Sequence, residues 1–256
     1  MSVELSFDDG LAFVTLNRPE ALNALSFSVL GEIAEALDEV KASDARALVI
    51  SGRGEKALCA GADIKELTGR GLVAQRQGAQ LGQAVFQKID GLLIPSVAVI
   101  KGYAFGGGLE MALACTFRVA TSSAKMGLPE IRLGLIPGYG GTQRLPRIVG
   151  QARALELIMS GKTIGATDAE RIGLVNAVVD DGEAHELGAQ FVRQFTGHGK
   201  IALMLAKQAV ERAFDSPLEK GLLVEADLST LAFQTEDAEE GMRAFIEKRK
   251  PAFKGR

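Results

Sequence analysis

The stretch Ile94–Leu145, IPSVAVIKGYAFGGGLEMALACTFRVATSSAKMGLPEIRLGLIPGYGGTQRL, decides how the whole chain is read. It begins as a buried strand, Ser96 to Ile100, whose apolar run from Val97 suits a parallel strand covered on both faces. Three glycines follow (Gly106, Gly107, Gly108), feeding a short apolar helix with one carboxylate, Glu110. A second strand pair leads to Pro129-Glu130 and a glycine-rich loop, Gly138 to Gly141. Glycines at a helix start leave bare N–H groups at the positive end of the helix dipole. With no Cβ in the way, a carbonyl oxygen or an anion can approach those donors. The two carboxylates lie 20 positions apart (130 minus 110), each beside such a loop. Donors that polarise a carbonyl, next to paired acid/base groups, point to chemistry on an acyl compound.

The neighbours of Glu110 strengthen that reading. In GGGLEMALAC every other residue is small or apolar, so the helix is expected to be buried. A buried carboxylate is costly, and burial raises its pKa toward the range that acid/base work near neutral pH requires. Glu130, in a loop after proline, is weaker evidence by itself.

Outward from this stretch, the chain alternates strands and helices. Val3 to Phe7 and Leu11 to Leu16 flank Asp8-Asp9-Gly10, a hairpin signal. Ser26 is placed to cap a helix whose apolar residues Phe27, Leu30, Ile33, Leu37 and Val40 recur at helical spacing. Ala47 to Ser51 is another apolar strand, followed by GRGEKALCAGADIKEL, a loop running into a helix. Gly78 to Gly91 reads as helix, as does Gln151 to Ser160. Thr167 is expected to cap a short helix closed by Gly173, ahead of a strand from Val175 to Val179. From His185 the pattern is helical almost to the end. Leu203, Ala206, Val210 and Phe214 form one stripe, and Leu222, Ala226, Ser229 and Phe233 another. Strands early and helices late imply an α/β fold with a helical tail.

Composition removes several function classes. The 256 residues are 47% hydrophobic and 24% charged, enough for one large core. A net charge of −3 and a pI near 5.6 give no general attraction to nucleic acid or anionic membrane. No run approaches the ~18 apolar residues of a membrane span, and MSVELSFDDG does not read as a signal peptide. Cys59 and Cys115 lie in apolar surroundings and are expected to be buried, reduced thiols of a cytoplasmic protein. His185 and His198, both in polar stretches, are read as surface residues; they provide no material for a zinc site or a histidine triad. No metal is expected. SGKTIG lacks the glycine five places before Gly161, so it is no phosphate loop, and GYGGTQ fails the dinucleotide fingerprint at Gln143. GxSxG does not occur. With no tryptophan and two tyrosines, a sugar platform for a two-carboxylate glycosidase is missing.

FGGGLEMALACTFRVA followed by PEIRLGLIPGYGGTQRLPRIVG resembles the enoyl-CoA hydratase/isomerase (crotonase) superfamily. LNRPEALNAL, ALCAGADIKEL and FIEKRKPAFKGR add to the resemblance, which spans the chain in order. It implies a crotonase-like spiral of ββα units over residues 1–195 and a helical C-terminal oligomerisation region over 196–256, assembling as a homotrimer or a hexameric dimer of trimers. It also implies an oxyanion hole made by the backbone N–H groups of Ala62 and Gly107. Hydratases of the family carry two carboxylates, matching Glu110 and Glu130 here. The reaction implied is addition of water across the C2–C3 double bond of a trans-2-enoyl-CoA, giving a 3-hydroxyacyl-CoA in acyl-CoA degradation. Coenzyme A enters as part of the substrate, and no bound cofactor is implied. The alternative is a Δ3-Δ2-enoyl-CoA isomerase or a branch acting on aromatic or dicarboxylic acyl-CoA.

By the same matching, Ala60, Asp63, Ile64 and Lys65 line the adenine and pantetheine, while Lys56 and Lys248 face CoA phosphates, Lys248 in a neighbouring subunit. Two positions depart from the family pattern. Glu20 stands where relatives often place a phosphate-facing lysine, and Tyr139 where small residues are frequent, so the ring is expected to reshape the acyl pocket. Some relatives bind RNA through a lysine-rich helix. LTGRGLVAQRQGAQLGQAVFQK has only scattered basic residues, so no nucleic-acid partner is expected.

Overall fold

A computed structural model describes residues 1–256. The chain divides into two compact units: Met1–Leu92 with Ser96–Phe191, and Leu93–Pro95 with Val192–Arg256.

The first unit opens with a hairpin, β1 (Val3–Asp8) antiparallel to β2 (Leu11–Leu16). Its turn residues Asp9 and Gly10 both have positive φ (47° and 72°), the twist a two-residue hairpin prefers. Helix α1 (Phe27–Ala42) is capped by Ser26, whose side chain accepts the Val29 N–H at 3.1 Å. It buries Leu30, Ile33, Leu37 and Val40.

From there a strand–strand–helix unit repeats. β3 (Ala47–Gly52) and β4 (Ala57–Cys59) precede α2 (Ile64–Leu67) and α3 (Leu72–Asp90). β5 (Ser96–Ile100) and β6 (Tyr103–Phe105) precede α4 (Gly107–Ala114). β7 (Phe117–Thr121) and β8 (Lys125–Gly127) precede a 3-10 turn (Pro129–Leu133), α5 (Gly141–Val149) and α6 (Gln151–Ser160). β9 (Ile164–Gly165), α7 (Ala166–Arg171) and β10 (Ala177–Val179) complete the spiral. β3, β5 and β7 join the hairpin and β10 in a six-stranded sheet, β1-β2-β3-β5-β7-β10, parallel except for the hairpin. The second strand of each unit joins a four-stranded sheet, β4-β6-β8-β9.

β3 and β5 are mostly apolar because both faces are covered. Leu48, Val49, Ile50, Val97, Val99 and Ile100 are all fully buried. Each such side chain contributes ~1.5–3 kcal/mol relative to exposure. α4 is buried on all sides, as GGGLEMALAC leads one to expect. Arg118, also buried, donates to the Cys115 carbonyl (2.8 Å) just past the last turn of α4 and to the Leu174 carbonyl (2.7 Å).

Four local expectations need correction. α3 starts at Leu72, not Gly78. α7 is preceded by Gly165, which pairs with Lys125 in the sheet, so Thr167 lies inside the helix and does not cap it. β10 starts at Ala177, because the Leu174 and Val175 N–H groups both turn back to the Ala169 carbonyl. His185 is half-buried, not fully exposed. Its Nε2 lies 2.7 Å from Thr15 Oγ1, its ring packs 4.7 Å from that of Phe13, and burial lowers its pKa. Helix α8 (Ala184–Thr196) holds it there: a methyl group on Gly188 would lie 2.3 Å from Val49.

The second unit contains the end of α8, α9 (Lys200–Glu211), α10 (Leu218–Phe233) and α11 (Glu236–Ile246). The buried Asp237 carboxylate accepts the Lys254 and Gly255 N–H groups (2.6 and 2.8 Å), tying the C-terminal tail to α11. The expected stripes occur, but Val210, Phe214, Leu222, Leu231, Phe233 and Phe245 all remain exposed.

Candidate active site

The site forms where the corner after β6 enters α4. Gly106 has φ 49° and ψ −125°, a conformation that side-chain-bearing residues avoid. A Cβ there would lie 3.0 Å from Glu130 Oε1. Beside it runs the loop after β4. Gly61, at φ 115°, comes so near that a Cβ on it would sit 3.2 Å from the Phe105 carbonyl and 3.8 Å from the Gly107 nitrogen. That loop is zipped to residues 22–25: Ala60 N–H donates to Leu22 O, Leu25 N–H to Gly61 O, and Asp63 N–H to Leu25 O. In this loop and cap network neither Ala62 nor Gly107 donates its N–H. Two glycine-shaped corners thus bring the Gly61-Ala62 loop beside the Gly107 amide, although 45 positions (107 minus 62) separate the two residues in sequence.

Glu110, in the first turn of α4, is 2% exposed. Its Oε1 accepts two backbone hydrogen bonds, from Tyr139 N–H and Gly141 N–H, both at 2.8 Å. Burial pushes its pKa up to about 7, and the charge of Glu130 adds to the rise. The Gly141 and Tyr139 amides and the Arg144 guanidinium act in the opposite direction. Glu130, in the 3-10 turn, is half-buried, and burial raises its pKa as well. Its Oε2 is buried without a hydrogen-bond partner. The two carboxylates therefore flank the start of α4 and repel each other, one clamped and one free to engage a ligand.

The clamp on Glu110 was not legible as such. Gly138–Gly141 is recognisable as a loop, but nothing local ties it to Glu110. Nor does any local signal single out Arg144, which donates to the Tyr139 carbonyl at 3.0 Å and pairs with Asp90 at the end of α3.

The remaining candidates have simpler surroundings. Ala60 and Asp63 are half-buried, while Ile64 and Lys65 are exposed at the start of α2, immediately after Ala62. Asp63 caps α2 by accepting the Lys65 N–H at 3.2 Å and lies 3.9 Å from Arg18. Lys56 is exposed between β3 and β4, its carbonyl accepting the Tyr103 N–H. Lys248 is exposed just past α11 in the second unit, with φ 54°. Glu20 is exposed in a short 3-10 turn.

A family model described as enoyl-CoA hydratase/isomerase matches residues 6–256. This chain belongs to the enoyl-CoA hydratase/isomerase family. Within the family it is 40% identical to the crotonyl-CoA hydratase of Syntrophomonas wolfei, over 98% of this chain and 97% of the relative. It is likewise 40% identical to the short-chain-enoyl-CoA hydratase of Clostridium acetobutylicum, over 100% and 98%. A solved enoyl-CoA hydratase from Bacillus anthracis superposes with a TM-score of 0.95 at 37% identity, each chain fully covered. The expected α/β spiral is therefore the fold of this family. No helix is long and apolar enough to cross a membrane.

Proposed function

We propose that this protein is an enoyl-CoA hydratase, adding water across the C2–C3 bond of a trans-2-enoyl-CoA. The observation that carries the reading is the pair Glu110 and Glu130 at the start of α4, beside the Gly61-Ala62 loop. The thioester oxygen accepts the Ala62 and Gly107 N–H groups, and both bonds strengthen as enolate charge develops on it. Each such donor is worth ~3 kcal/mol of barrier. Glu110, with a pKa near neutrality, takes a proton from the water whose oxygen bonds to C3, while protonated Glu130 delivers its proton to C2. The product gains one water, and the carboxylates exchange one proton overall, so they titrate as a pair. Two carboxylates favour hydration over isomerisation, which moves a proton between carbons and needs no second group to activate water. CoA is part of the substrate, with Ala60, Asp63, Ile64, Lys65 and Lys56 along its path and Lys248 reaching it from a neighbouring subunit. No resident cofactor is required.

The exposed apolar residues of α9–α11 support self-association, in which copies of the chain cover one another as a trimer or a dimer of trimers. The buried thiols of Cys59 and Cys115 suit a cytoplasmic location.

Crotonyl-CoA tests the reading directly. The conjugated-thioester absorbance should fall as 3-hydroxybutyryl-CoA forms. No loss with crotonyl-CoA, together with appearance of that absorbance from a 3-enoyl-CoA, would assign the isomerase reaction instead. Sedimentation or light scattering reads the subunit number.

A further inference from the structure

We propose that the ring of Tyr139 is the chain-length stop of the acyl pocket, limiting this enzyme to short enoyl groups. The inference rests on the hydratase reading and adds the class of acyl chain.

The ring fills the gap between α3 and the amide-bearing start of α4. One edge faces α3, where a Cβ on Gly82 would fall 2.3 Å from Cδ1. The opposite edge faces α4, where a Cβ on Gly107 would lie 3.3 Å from Cδ2. Phe86 closes another side, edge-on at 5.8 Å and 84°. Glycine inside a helix costs about 1 kcal/mol relative to alanine. Gly82 lies well inside α3, and the space taken by the ring accounts for it. One turn earlier Gly78 makes room in the same way for Phe27, whose ring lies under the Arg70 guanidinium at 4.3 Å. Two rings, Phe27 and Tyr139, thus pack against glycines one turn apart on α3.

Packing against Gly82, Gly107 and Phe86 confines the ring, and the backbone of Tyr139 is held from two directions. Its N–H donates to Glu110 and its carbonyl accepts from Arg144. Only 7% of the residue is exposed. An acyl group with its carbonyl at the Gly107 amide and its C2–C3 bond at the two carboxylates starts out alongside this ring. A chain that runs on past C3 on this side needs the volume the ring occupies, so short acyl groups are favoured. One methylene too many in a close-fitting apolar pocket costs roughly 10- to 200-fold in kcat/KM.

The test compares crotonyl-CoA with trans-2-decenoyl-CoA on wild-type protein and on Tyr139→Ala, Tyr139→Leu and Tyr139→Phe. Wild type and Tyr139→Phe should favour crotonyl-CoA strongly. In Tyr139→Ala the ratio of kcat/KM for decenoyl- over crotonyl-CoA should rise by at least ~10-fold. Tyr139→Leu, a milder truncation, gives the same test should alanine unfold the protein. A wild type that hydrates both substrates equally well, or small-residue variants with an unchanged ratio, would overturn the stop. Should the wild type hydrate neither substrate, the hydratase reading fails separately. Calorimetric binding of butanoyl-CoA against decanoyl-CoA then still reads the stop, which predicts that only the small-residue variants accept the longer chain.

Discussion

Glu110 Oε1 accepts the N–H of Gly141 at 2.8 Å, joining the first turn of the buried helix α4 to the first residue of α5, 31 positions along the chain. A Cβ on Gly141 would lie 3.0 Å from Glu110 Oε1 and Cγ, so any side chain there would crowd the carboxyl group. The contact holds one carboxyl oxygen still, and the Tyr139 N–H on the same atom prevents it from rotating.

If both carboxylates transfer protons, each loss should be severe. Glu110→Gln and Glu130→Gln are expected to lower kcat for crotonyl-CoA by roughly 10²–10⁴-fold with the circular dichroism spectrum preserved. Steady-state kinetics check this, and near-normal turnover in either variant removes that residue from the mechanism.

The raised pKa of Glu110 also makes a stability prediction. Its folded value, about 7, lies above the ordinary 4.5, so between those values the native state binds more protons than the unfolded one. Stability contributed by this group is present below pH 4.5 and is lost as pH rises through 7. Glu110→Gln keeps the amide acceptor and removes the charge. Its Tm should match wild type near pH 5 and exceed it progressively up to pH 8. Thermal melts across that range would show a constant difference if the carboxylate were unstrained.

Arg144 should be felt in the pH profile as well as in the rate. Its charge lowers the Glu110 pKa, and its hydrogen bond holds the Tyr139 carbonyl. Arg144→Met is expected to cut kcat by about 10-fold and to move the acidic limb of the pH–rate profile upward. Arg144→Lys, which keeps the charge, should return the limb toward wild type more fully than it restores kcat. A limb that stays in place in Arg144→Met would reduce the residue to a structural tie.

Arg118 tests the support behind the site. Replacing it by methionine leaves the Cys115 and Leu174 carbonyls without their donor in a buried setting. Each is worth ~1–3 kcal/mol, so a loss of about 2–6 kcal/mol is expected in denaturant titrations. A change under 1 kcal/mol would mean that water or a neighbouring group replaces the guanidinium.

The elements were legible wherever spacing alone settles them. Ser96–Ile100 reads as a doubly covered strand because Val97 to Ile100 are all apolar, and α1 reads from its capping serine and its apolar period. Local signals mislead where a distant contact overrides them. Thr167 looks like a cap, but sheet pairing of Gly165 starts the helix earlier. His185 looks polar and exposed, but α8 lays it against Phe13 and Thr15, 170 positions from the latter.

The sequence by itself determined the repeating α/β order, the family, and the identity of Glu110, Glu130, Ala62 and Gly107 as candidates, since each belongs to a motif of contiguous residues. Only the tertiary structure decided that Glu110 is clamped by the Tyr139 and Gly141 amides, that Glu130 keeps a buried oxygen unpaired, and that a tyrosine ring fills the space beside Gly107. The reason is physical. Propensity and hydrophobic period act over a few residues, whereas a carboxylate's pKa and a pocket's depth depend on which remote segments the fold presses against it.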